Sequence, residues 1–280
     1  MKTIKDYWKN FWAVFWQPDM LILPGQLAFF FFLSVVPIIT LISYGASYLH
    51  LSIDFISNFL VKAFGHDIAN LVIPIVSNQN LSTGYLITLF VGYFIASNGA
   101  ASIIVASNKI YGIKDSGFIK RRIKAIIMTL FIVLLFLFML TVPLFGDKII
   151  DLVEYVNLNA RITERIVLVF KVLKGPVSWF IIFLFIKILF TMAPDRKIPS
   201  SYVNYGAIFT SISWVLVTTI YSYYINNFAR YDVFYGGLAN IVILMLWVYL
   251  LAYIFVIGIG LNYHKEEIIL EKTGIIDVKK

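Results

Sequence analysis

Apolar residues fall in six long blocks, Gly25 to Ala46, Thr83 to Ser107, Ala125 to Phe145, Pro176 to Ala193, Val203 to Ile225 and Gly237 to Leu261, with polar turns between them. A helix that crosses the hydrocarbon of a bilayer needs roughly 20 mostly apolar residues at about 1.5 Å rise each. The blocks match that length, so the pattern predicts an all-α polytopic membrane protein with six transmembrane helices. No composition shift marks a domain boundary, and residues 1–280 read as a single integral membrane domain.

Three other stretches carry helical periodicity without being apolar enough to span. In residues 3–17, Ile4, Trp8, Phe11, Trp12, Phe15 and Trp16 share one face while Lys5, Asp6, Lys9 and Asn10 lie elsewhere, the pattern of a helix resting in the headgroup layer and ended by Pro18. Residues 51–80 place Phe55, Ile56, Phe59, Leu60, Ala63 and Phe64 at helical spacing, and residues 146–175 do the same with Ile162, Ile166, Phe170 and Leu173. Both are expected to form amphipathic helices against the outer mouth of the bundle.

Within the spans, polar residues recur on single faces. Gln26, Pro37, Thr40 and Tyr44 share a face of the first span, and Asn98 and Ser102 lie one turn apart in the second. Asn204, Ser211, Thr218 and Ser222 run down the fifth, and Asn240, Trp247, Gly258 and Asn262 down the sixth. The third span has almost none and is expected to face lipid. Pro37 removes a donor near mid-span and predicts a kink, with Ser34 close enough to satisfy a freed carbonyl. Such stripes have two readings. They can be packing glue, because small residues allow close helix approach and amides bond across helices for about 0.6–2 kcal/mol. They can equally line a shared cavity between the first, second, fifth and sixth spans, and the amides of Asn98 and Asn240, each with several hydrogen-bonding positions to satisfy, weigh toward it.

Charge orients the chain. Lys and Arg number 15 on the side holding both termini and seven on the other, and the excess places both termini in the cytoplasm. The net +8 is then a topology signal and an attraction to anionic headgroups, with Lys120-Arg121-Arg122-Ile123-Lys124 read as a basic turn anchoring the third span and no nucleic-acid partner implied. Lys187 is the one charged residue inside a span, either snorkelling to the interface or standing as a cavity cation suited to an anionic substrate. Arg230, Asp232 and Tyr235 belong to the last outer turn, where Arg230 and Asp232 either pair to fix the turn or line an entrance.

Enzyme chemistry is not indicated. There is no cysteine, and His50, His66 and His264 are divided between the two sides of the membrane. No metal site, phosphate-binding glycine loop or nucleophile elbow can be assembled, no cofactor is implied, and Asp and Glu avoid the spans.

Several pieces together carry a resemblance. They are Phe32-Leu33-Ser34 with Pro37, Asn108-Lys109-Ile110-Tyr111-Gly112, Tyr224, Phe228 and Tyr231 with Tyr235-Gly236-Gly237-Leu238, Leu246-Trp247-Val248-Tyr249, and Gly258-Ile259-Gly260-Leu261-Asn262. In order and spacing the chain resembles the YihY/BrkB family of bacterial inner-membrane proteins, formerly labelled ribonuclease BN-like, over nearly its full length. The resemblance implies six spans in the plasma membrane with both ends inside, and associations with envelope integrity and lipid movement. Many members carry an acidic residue where this chain has Gly260. The nuclease label finds no support in the residues, which offer no carboxylate or histidine cluster for the metal ions of phosphodiester cleavage.

The reading that follows is a transporter or flippase for an amphiphilic, anionic envelope molecule, with membrane lipids as its surroundings. Its candidate cavity residues are Gln26, Ser34, Pro37, Asn98, Ser102, Lys187, Asn204, Ser211, Asn240 and Trp247. The alternative is a non-catalytic scaffold or assembly partner, in which the same stripes are packed and dry.

Overall fold

The computed structural model describes residues 12, 19–48, 57, 73, 83–114, 116–134, 160–227 and 236–272. Their regular elements are α1 (Asp19–Tyr48), α2 (Thr83–Ile110), α3 (118–134), α4 (Ala160–Met192), α5 (Asn204–Asn227), a 3-10 turn at Gly236–Leu238 and α6 (Ala239–Lys272). Among the described residues there is no strand, as expected where lipid offers backbone groups no partner and the helix satisfies them internally. Among the described residues three stretches are long and apolar enough to cross a membrane, Phe90–Ile110, Gly175–Met192 and Ile241–Ile268. A shorter apolar stretch, Ile22–Ser34, lies in α1.

The helices outrun the apolar blocks. α1 begins six residues before Gly25, and α6 continues to Lys272, well beyond Leu261. At about 51 Å, α6 is longer than the roughly 30 Å hydrocarbon layer, so its polar last turns project from it. α4 starts at Ala160, inside the segment expected as an outer cap, and passes through Gly175 and Pro176 without a break. The interfacial segment 3–17 falls outside the described residues except for Trp12, and segment 51–80 except for residues 57 and 73.

α6 is the central helix. It packs on α1, α2 and α5, while α1 also packs on α2 and α4 on α5. Phe255 of α6 is fully buried between Phe190, with ring centroids 4.6 Å apart, and Trp214, at 6.1 Å. Leu27, Ile103, Ile104, Met128, Ile186, Val203 and Ile259 complete the tightest part of the core. Outward faces carry exposed apolar side chains such as Ile22, Phe90, Ile127, Leu168 and Ile220, which lipid rather than water would cover.

α3 corrects one expectation and refines another. Ala125, Met128, Thr129, Ile132 and Val133 are buried and Ile123, Ile127, Leu130, Phe131 and Leu134 exposed, so only one face of this helix meets lipid. The basic run 120–124 is not a turn but the first helical turns of α3. Gly117, at φ +92, starts the helix by accepting from Arg121 N at 3.0 Å. The second observation has a simple cause: hydropathy marks where a helix enters lipid, not where it begins.

Candidate functional site

Polar chemistry concentrates at the end of the bundle where α2 gives way to α3. α2 closes with a left-handed Gly112 at φ +61, whose N–H donates to Lys109 O at 3.2 Å, while Ile113 N donates to Asn108 O at 2.8 Å. This paired closure satisfies the last carbonyls of α2 and fixes the direction of Asn108. The Asn108 amide then reaches the turn after α4: Nδ2 donates to Asp195 Oδ2 at 2.7 Å, and Asp195 N donates to Asn108 Oδ1 at 2.8 Å. Ser116 N adds a longer bond to the same carboxylate oxygen at 3.3 Å.

Lys124 completes this clasp from α3. Its ammonium donates to Ala193 O and Pro194 O, both at 2.7 Å, and to Asp195 Oδ1 at 2.8 Å, using all three of its protons. A cation against the end of α4 also meets the negative pole of that helix. Burial would raise the Asp195 carboxyl, but the hydrogen bonds from Lys124, Ser116 and Asn108 and the charge of Lys124 hold it down to about 2. A carboxylate so fully bonded is a fastener and a poor proton acceptor.

A second pair ties the same turn to the projecting end of α6. Arg196 Nη2 donates to Glu266 Oε2 at 2.6 Å, with the carboxylate almost fully buried. The Arg196 guanidinium lies 5.7 Å from the Tyr111 ring, and Tyr111 meets Tyr263 edge-on at 5.6 Å. Burial, together with the Glu266 charge, pushes the Tyr111 phenol above its ordinary range, so it stays protonated.

The sequence-derived candidates fall into separate contacts. Ser34 is buried, with Oγ 2.7 Å from Phe30 O and 3.1 Å from Ala96 O, so it joins α1 to α2 beside Gly99, where an added Cβ would come within 3.1 Å of it. Pro37 is half-buried near Gly92 of α2, and Gln26 is exposed. Asn98 faces α3, where Arg122 Nη1 donates to its Oδ1 at 2.7 Å, Nη2 donates to Phe94 O at 2.9 Å, and the guanidinium lies over the Phe94 ring at 3.5 Å. Ser102 is buried and bonds back to Gly99 O. Lys187 is half-buried, its ammonium 6.0 Å from the Phe183 ring on its own helix. Asn240 falls in the first turn of α6, and Arg230, Asp232 and Tyr235 lie outside the described residues.

Among the described residues, the stripes of α5 and α6 meet as a continuous seam. Along it Asn262 Oδ1 accepts from Gly206 N at 2.7 Å, Trp214 Nε1 donates to Leu251 O at 2.9 Å, Trp247 Nε1 donates to Thr218 Oγ1 at 3.2 Å and Tyr221 OH donates to Ile243 O at 2.6 Å. The pairs step in opposite directions along the two helices, the register of antiparallel neighbours. Ser211 is buried in the seam and bonds to Ile208 O at 3.0 Å. Asn204 Oδ1, Thr210 Oγ1 and Asn262 Nδ2 are enclosed without a hydrogen-bond partner among the described residues.

Asn98→Leu tests the Arg122 contact. It is expected to cost about 2 kcal/mol, because the guanidinium loses a charge-assisted bond in partial burial. The check is the thermal midpoint of the detergent-purified protein, with Asn98→Gln as the conservative comparison.

A half-open groove of about 350 Å³ lies between α1 and α6. Gly25, Ala28, Phe29 and Phe32 line one wall and Val242, Met245, Leu246 and Tyr249 the other, each set following one helix ridge. Its lining is almost wholly apolar.

Among the described residues, an all-helical core with outward apolar faces, three span-length apolar helices and polar groups gathered at helix ends and seams define an integral membrane protein. The chain belongs to the BrkB family: the family described as virulence factor BrkB matches residues 11–274. A ribonuclease-like protein of Bacillus subtilis (strain 168), YfkH, is 28% identical over 251 residues, covering 87% of this chain and 90% of that protein. A UPF0761 membrane protein of Idiomarina loihiensis is 33% identical over 100 residues, 34% of this chain and 35% of the relative. One of Haemophilus influenzae (strain PittEE) is 26% identical over 126 residues, 45% and 46% of the two chains. The relatives' description as membrane proteins agrees with the apolar helices, and a place in the bacterial inner membrane is consistent with both. No solved structure matches the chain.

Sequence reasoning missed the clasp. Asn108 stood in a motif and Lys124 in a basic run, but Asp195, 87 residues from its amide partner, had no marker of its own.

Proposed function

We propose that this protein is a six-span transporter of an amphiphilic, anionic envelope molecule, with both termini in the cytoplasm. The observation that carries this reading is the apolar groove between α1 and α6, whose 350 Å³ accommodates part of an acyl chain and which opens where lipid would lie. The polar headgroup would travel beside the α5–α6 seam, where Asn204, Thr210 and Asn262 each hold a buried polar atom with no partner among the described residues. Lys187 supplies positive charge within a span.

The test is reconstitution into liposomes carrying fluorescent phosphatidylglycerol, phosphatidylethanolamine or lipid-linked precursors, with transbilayer movement followed by chemical quenching. Movement above protein-free vesicles is expected for at least one substrate. Ala28→Trp, which fills the groove, is expected to reduce it by about tenfold, a loss of about 1.4 kcal/mol. No movement above empty vesicles for any of them ends the transport reading.

A second reading, a non-catalytic membrane scaffold, is favoured by the hydrogen bonds already made by Ser34, Asn98 and Trp247 across helices. We take the chain to be no enzyme in either case, despite the ribonuclease-like name of its Bacillus relative. In support, the buried carboxylates Asp195 and Glu266 are each held by a cation, which leaves them ill placed to bind a metal or move a proton.

A further inference from the structure

Arg122 is held at a crevice between two lipid-exposed ridges. On the α2 side Phe90, Val91, Phe94 and Ile95 are exposed, and on the α3 side Ile119, Ile123, Ile127 and Leu130 are exposed. The crevice is closed from within by Tyr93 OH donating to Ile126 O and by the Arg122 bond to Asn98. Three contacts fix the guanidinium in place: Asn98 Oδ1 at 2.7 Å, Phe94 O at 2.9 Å and the Phe94 ring at 3.5 Å. Of its five N–H groups, two are donated to α2 and Nε is enclosed, which leaves one on each terminal nitrogen. Phe118 and Ile119, within about 60 degrees of Arg122 around α3, stand out beside it, 70% and 72% exposed.

A fixed guanidinium with free N–H groups between two apolar ridges matches an amphiphile whose chains lie along the ridges and whose anionic oxygen reaches the cation. We propose that this crevice binds the phosphate headgroup of an anionic phospholipid from the leaflet at the α2–α3 end. Charge decides the occupant: residues 109–124 carry six basic residues and one acidic residue, so a negatively charged headgroup is favoured over a zwitterionic one. The site shares no residue with the α1–α6 groove, and it stands whether or not the protein transports anything.

The experiment uses the full chain in nanodiscs and in detergent. Phosphatidylglycerol retained after delipidation is counted by native mass spectrometry against phosphatidylcholine, with inorganic phosphate added as a competitor in a separate arm. The wild type is expected to retain phosphatidylglycerol preferentially, and millimolar phosphate to leave that preference unchanged. Arg122→Gln is expected to abolish the preference. Because that change also breaks the α2 contact, Ile119→Glu on the exposed surface is the second variant: it sets a negative charge on the face that carries Arg122 and is expected to weaken retention by about fivefold, the effect of one unit of charge at an anionic surface. Equal retention of both lipids by the wild type, or unchanged preference in folded Arg122→Gln or in Ile119→Glu, overturns the proposal. Displacement by millimolar phosphate also overturns it, since the ligand is then a soluble anion.

Discussion

Gly206→Ala is expected to leave little or no folded protein. Gly206 and Gly258 meet backbone to backbone where α5 crosses α6, and a Cβ on Gly206 would overlap Gly258 O and come within 2.6 Å of the Asn262 amide. The obstacle is main chain, which cannot rotate aside, so the helices must separate and the bond from Gly206 N to Asn262 Oδ1 must stretch. Overpacking of this kind costs about 3 kcal/mol or more. Gly258→Ala meets two side-chain atoms first, Thr210 Oγ1 and, at 2.9 Å, Phe190 Cζ, with the main chain, Gly206 O, farther off at 3.3 Å. It is expected to be milder and to be partly rescued by Thr210→Ala. Gly175→Ala in α4, where nothing lies within 4 Å of the new atom, is expected to be neutral or to gain up to about 1 kcal/mol of helix propensity. Size-exclusion profiles and thermal midpoints in detergent distinguish these outcomes. Equal behaviour of Gly206→Ala and Gly175→Ala would refute the close crossing.

Lys124→Met is the second large effect. It leaves the Asp195 carboxylate, only 7% exposed, without its cation and uncaps two carbonyls of the α4 end, for a loss of about 3 kcal/mol. Asp195→Asn keeps the shape and removes the charge, and about half that loss is expected. Acid provides an independent check. The carboxyl is lowered from the usual 3.8 to about 2, so its stabilisation is complete above pH 4, falls as pH drops and is gone below pH 2. The amount at stake is about 2 kcal/mol. Asp195→Asn is expected to flatten the stability profile between pH 4 and 2, and an unchanged profile would show that the clasp does not bear on folding.

How much of this was visible in the chain itself depends on the range over which residues act. α2 begins at Thr83 as its apolar block does, and α5 begins at Asn204, one residue from the block's edge, because lipid entry is a local property of composition. The α5 and α6 stripes were legible as faces, and Asn262, Trp247 and Thr218 do meet across them. What periodicity could not supply was the partner. Asn98 was legible as a polar group needing bonds, but nothing in its own span pointed to Arg122, 24 residues on. Asn108 and Asp195 come together through helix packing alone. The start of α3 was hidden because its first turns are basic, and hydropathy reads a charged turn of helix and a charged loop alike.

Arg122 and Lys124, two positions apart, stand about 200 degrees apart around α3. One is committed to α2 and the other to the turn after α4, so the helix is riveted on both sides. Rotation of α3 about its own axis must break one rivet or the other. If the protein changes shape in use, α2, α3 and the α4–α5 turn therefore travel together as one rigid block.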